Sequence, residues 1–229
     1  MKSLKIIVAT LAITAATAMA PANAATVNVT RQGSNAFVDA TGQNGWWQSV
    51  SYNLNGTTRL GVGAGVFRLT ATDASGKVQD FLAFCLEPLE WLTLPKDYTV
   101  GSSLSAPILD RLGALVSNAF SLVNGASSAA AFQMAAWEIA NESGANLNLG
   151  DGAFMMTQAN ATSQSLAQGW LNSIASGSWT SSGRVTILTA PGTQDLLTNI
   201  APVPVPAAGV MLLGGLAGLG ALRRRRKAA

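Results

Sequence analysis

Residues 129–142 read AAAFQMAAWEIANE, and the reading of this stretch decides the rest of the chain. Phe132, Ala135, Ala136 and Ile139 recur at the three-and-four spacing of a buried helical face. Gln133, Trp137 and Ala140 form the adjoining stripe, which puts Gln133 and Trp137 one turn apart. Ser128 is the expected N-cap and Gly144 the expected stop. One residue is odd: Gln133 is a polar amide between Phe132 and Met134. Upstream, residues 81–88 read FLAFCLEP and carry Cys85, the only cysteine in the chain.

Working outward, residues 25–104 read as β. Val27 to Thr30 alternates, and Trp47 to Leu54 alternates loosely before the turn Asn55-Gly56. A long run, RLGVGAGVFRLTAT, covers 59–72. The Ser75-Gly76 turn then pairs it with 78–86 as a hairpin. Residues 92–100 add a strand that Pro95 confines to an edge or bend. From 105 to 177 the period becomes helical. Ile108, Leu109, Leu112, Leu115 and Val116 form one stripe, the Gln133 helix follows, and 157–176 forms a third. Residues 180–200 return to β. The expected fold class is α+β: a β-sandwich or barrel with an inserted small helical subdomain, plus a C-terminal transmembrane helix.

Both ends carry targeting patterns. Lys2 and Lys5, an apolar run from Ile6, and the small-residue site Ala22-Asn23-Ala24 make the three-part plan of a secretory signal peptide, with cleavage predicted after Ala24. At the other end Val203-Pro204-Val205-Pro206-Ala207 leads into an apolar segment, 207–222, of about 24 Å as a helix. Arg223, Arg224, Arg225, Arg226 and Lys227 follow and are expected to stay cytoplasmic. The formal charge of +3 therefore misleads. Setting those seven terminal cations aside leaves seven basic against eleven acidic residues. Nucleic-acid binding is not expected of such a body.

The C-terminal pattern resembles the VPLPA variant of the PEP-CTERM sorting signals, with Val205 where that family usually has Leu. The resemblance implies export, transient residence in the inner membrane, processing by an exosortase-type membrane enzyme, and a final place at the cell surface or in the extracellular matrix. The two internal motifs, F-C-L-E and, 48 residues on, F-Q-M-A-A-W, resemble the cysteine–glutamine thioester domains of bacterial adhesins. Phe132 stands for that family's Thr and Ala136 for its Ile, while Gln133, Ala135 and Trp137 match. The resemblance implies an internal thioester between Cys85 and Gln133, and a covalent adhesin whose target bears an amine or hydroxyl. Trp137 would exclude water, and Glu87 and Glu138, which flank the partners, would carry protons.

The residues themselves exclude much. The chain has no histidine and one cysteine, so Ser/His and Cys/His nucleophilic sites and zinc sites of His and Cys are ruled out. No enzymatic activity, cofactor or metal is expected. Cys85 also reads as an inert buried thiol, and Gln133 as an amide bonded to backbone, which leaves a non-covalent structural or binding component of the matrix as the second reading. Gly61-x-Gly63-x-Gly65 is a glycine-rich bend in a strand. Trp46-Trp47 packs at a core or rim, or stacks on sugar rings. Glu87, Glu90, Glu138 and Asp151 would make a hydrolase only if two of them form a pair.

Overall fold

Alternating residues in the first strand, Thr26–Arg31 (β1), bury Val27 and Val29 and leave their neighbours outside, the pattern of a strand with one face on a core. The computed structural model describes residues 25–183 and 185–199. Both targeting segments, 1–24 and 201–229, lie outside them.

After β1 come Trp47–Leu54 (β2), Thr57–Gly65 (β3), Phe67–Asp73 (β4), Val78–Cys85 (β5) and Lys96–Val100 (β6). Helix Ala106–Ala119 (α1) and helix Ala126–Asn141 (α2) follow, then Phe154–Gln158 (β7), helix Ala161–Ala175 (α3), Thr186–Thr189 (β8) and Leu196–Thr198 (β9). Strands β1, β4, β5, β9, β8 and β6 close into a six-stranded antiparallel barrel, and β3, β2 and β7 form a separate sheet. Paired residues share a face, so Val29, Ala71, Leu69, Phe81, Phe67 and Ala83 fill the barrel together.

Two turns follow their sequence. Asn55 and Gly56 both take positive φ, 50° and 85°, as the two-residue link between β2 and β3 demands. Asp73 accepts from the N–H groups of Ser75 and Lys77 and holds the β4–β5 hairpin.

The expected class is corrected. The described chain is mostly β, a barrel plus a sheet with three helices, and the helices are not an inserted subdomain. α2 packs on β5 of the barrel, on β2, β3 and β7 of the sheet, and on α1 and α3. Every residue of α2 from Ser128 to Ile139 is buried. A helix buried on all sides lies at a centre, and its alanines let both sheets approach closely. Among the described residues no helix is long and apolar enough to cross a membrane.

Three boundaries also move. The run 59–72 breaks at Val66 into strands of different sheets. β7 occupies the expected start of the third helix and lies inside the stretch read as helical. Ser128 is not the N-cap of α2, which is Gly125; its Oγ instead bonds Gly125 O and accepts from Asn124 N–H.

Candidate functional site

The backbone N–H and C=O of one strand residue point to the same side, and those of the next residue to the other. Just past β5, Leu86 N–H points to the β9 side and donates to Asp195 O at 3.0 Å. Cys85 therefore points to the β4 side, where the last pair is Phe67 with Ala83. Two residues on, β4 has ended, and the Gln133 side chain stands in its place. Cys85 N–H donates to Gln133 Oε1 at 2.9 Å, and Gln133 Nε2 donates to Cys85 O at 2.7 Å. A carboxamide holds a donor and an acceptor side by side, as a peptide does, so it continues the ladder by one step.

Aromatic packing fixes this register. Phe84 and Phe132, each immediately before a partner residue, have ring centroids 4.2 Å apart. Trp137, one turn beyond Gln133, packs on Tyr52 at 5.3 Å and Phe154 at 6.0 Å. Cys85 and Gln133 are each 1 % exposed.

Burial is the main influence on the sulfur and pushes the Cys85 thiol up to about 12. The Trp137 indole and the Glu87 backbone N–H act the other way, and the charges of Glu87 and Asp195 add to the rise. Trp137 Nε1 itself reaches no partner at hydrogen-bonding geometry, so its effect on the sulfur is partial. Burial likewise raises the Tyr52 phenol to about 12; its hydroxyl donates to Pro88 O.

A cavity of about 30 Å³ adjoins Cys85, with Trp137, Phe67, Gln194 and Trp91 among its other walls. Trp91 is 73 % exposed and marks the solvent side.

The two expected proton carriers separate. Glu87 is exposed on the loop after β5, and its Oε2 accepts from Asp195 N–H at 2.9 Å. Its backbone N–H, rather than its carboxylate, favours the Cys85 thiolate. Glu138 does not join the site. It bonds Asn148 N–H at 2.6 Å, because five residues along a helix turn a side chain about 140° away from Gln133.

Gln194 and Asp195, next to β9, belong to the site and carried no periodic signal. Asp195 is raised to about 6, chiefly by burial and then by the Glu87 charge. The apolar pair Leu196-Leu197 is the local hint of β9, whose pairing with β5 brings both residues to Cys85.

The remaining features resolve simply. A side chain added at Gly63 would collide with the Phe37 ring and one at Gly65 with the backbone at Trp46 and Trp47, so the first glycine makes room for a ring and the second for the neighbouring strand. Trp47 stacks on Phe37, and Arg68 lies over Trp46. The four carboxylates do not form one group: Glu87 and Glu90 share the loop after β5, while Asp151 lies in the loop beyond α2, where its charge reaches Glu138. Among the described residues no cluster of three or more His, Cys, Asp or Glu side chains could hold a metal ion.

No protein-family model, no curated protein and no solved structure matches this chain.

Chemically, the arrangement places a polarising donor, the backbone N–H of a cysteine, on the oxygen of an acyl group. Cys85 N–H points at the oxygen that would become negative if the Gln133 amide carbon were attacked, which is the placement an oxyanion requires.

Proposed function

We propose that the chain is an exported surface or matrix protein that forms an internal thioester between Cys85 and Gln133 and uses it to attach covalently to a target. The observation that carries the reading is the paired hydrogen bond from the Gln133 amide to the Cys85 peptide, across 48 residues of sequence. In the bond-forming step Cys85 Sγ bonds the Gln133 amide carbon, the carbon–nitrogen bond breaks, and the thiol proton leaves with the nitrogen as ammonia. Positioning supplies most of the advantage, since both groups sit on rigid, buried elements. A target amine or hydroxyl then takes the acyl group as an amide or ester and releases Cys85 as a thiol. Export, exosortase processing and surface attachment rest on the terminal sequence patterns.

A second reading has its own support. The same two bonds fully satisfy the Cys85 peptide, and burial disfavours the thiolate that must attack. On that reading Gln133 is a structural clamp and the protein a non-covalent component of the matrix.

Intact mass of the protein as the cell exports it, purified without amines, tests the two. A mass short by one ammonia, restored in Cys85→Ala and raised by methylamine, is the expected result. A full mass with an intact thiol establishes the clamp.

A further inference from the structure

Two buried polar atoms beside Cys85 lack partners: Trp137 Nε1, a donor, and Gln194 Oε1, an acceptor. Both residues wall the cavity that Cys85 walls. Trp137 is 2 % exposed and Gln194 9 %. The Gln194 amide is oriented by its other end, since Nε2 donates to Glu90 O at 2.5 Å. An unpartnered buried donor and acceptor on residues that wall one small space define the ligand that would satisfy both.

We propose that Trp137 Nε1 and Gln194 Oε1 recognise the hydroxyl of a primary alcohol, and so direct the Gln133 acyl group to oxygen rather than nitrogen. This rests on the thioester reading and deepens it. An alcohol oxygen has two lone pairs and one hydrogen. It accepts from Trp137, donates to Gln194, and keeps the second lone pair for the Gln133 carbonyl carbon. A neutral amine has one lone pair, and accepting from Trp137 would occupy it. The volume, about 30 Å³, admits one or two water-sized groups, a –CH2OH end but not a ring. In the transfer the alcohol oxygen bonds the Gln133 carbon, the carbon–sulfur bond breaks, and the hydroxyl proton passes to Cys85 sulfur. The products are an ester and a thiol.

The test uses the exported protein, weighed before and after exposure to methanol and methylamine at matched free-base concentration. Hydroxylamine distinguishes ester, which it cleaves, from amide. The wild-type chain is expected to give an ester adduct, and Gln194→Met to lower the ester-to-amide ratio at least tenfold with the ammonia deficit retained. Trp137→Phe, which removes the donor and keeps a ring, should lower it in the same direction and serves if Gln194→Met does not fold. A deficit with an unchanged ratio in both variants overturns the alcohol site alone. A full mass before any addition overturns the thioester and the alcohol site together. Methyl glucoside and N-acetylserinamide in place of methanol identify the source: an ester with the first marks a saccharide, with the second a protein side chain. An ester with neither overturns the proposal.

Discussion

Gln133 and Glu138 lie five residues apart on α2, and both are buried side chains that serve the backbone of another segment. Gln133 meets Cys85 with a donor and an acceptor at once. Glu138 offers one oxygen to Asn148 N–H, while its other oxygen is buried without a partner. The amide carries no charge into the core. The carboxyl does, and burial, then the nearby Glu142 and Asp151, lift it from its ordinary 4.5 to about 7. A neutral group that both gives and accepts holds a buried strand end at any pH. An acid does so fully only while it keeps its proton.

The largest expected effect breaks the first half of this contrast. Gln133→Leu strands two buried backbone groups at Cys85, and urea unfolding should show a loss of about 3 kcal/mol. Gln133→Glu gives the strand end the chemistry of the other site. Its carboxylate accepts from Cys85 N–H but has nothing to donate to Cys85 O. The loss should be about 2 kcal/mol at pH 8 and smaller at pH 5, where the acid regains a hydrogen; an equal loss at both would end the comparison.

For Glu138 the folded protein holds the proton more tightly than the unfolded chain. The contribution is whole below about 4.5 and is lost as pH rises toward 7. Asp195, raised to about 6, acts in the same direction. The urea midpoint should therefore fall across this window. Glu138→Gln, which keeps an oxygen for Asn148 and removes the charge, should flatten the slope and raise the midpoint at pH 8. The smallest effect belongs to the rim: Trp91→Ala should change stability by less than about 0.5 kcal/mol, because Trp91 is largely in water.

Where period and burial agreed, the sequence was a sufficient guide. β1, β2, the β4–β5 hairpin, α1 and α2 could all be read; that Cys85 and Gln133 belong together came only from the resemblance of their two motifs, and the structure joins them through hydrogen bonds to backbone. The misses have local causes. Phe154 to Gln158 contains two methionines and no β-branched pair, so its tendency is helical. Contact with β2 overrides that tendency and makes it a strand. In the 59–72 run the apolar residues fall on even positions up to Val66 and on odd positions from Phe67; this change of phase marks where the chain changes sheets, and reading the run as one strand passed over it. Glu138 looked like a neighbour of the site because it is close in sequence, although the helical angle of 100° per residue already turned it away. Gln194 and Asp195 reach Cys85 only through the pairing of β9 with β5, a relation more than a hundred residues long that no window can contain.

β9 has a mechanical meaning as well. Tension applied to the chain beyond Asn199 enters the barrel through β9, which grips β5 over Ala83, Phe84 and Cys85. Such a load is carried along the strands as shear, meeting β5 first at Ala83 and last at Cys85, the residue that Gln133 holds from the opposite edge. A tether pulling on this protein would pull on Cys85.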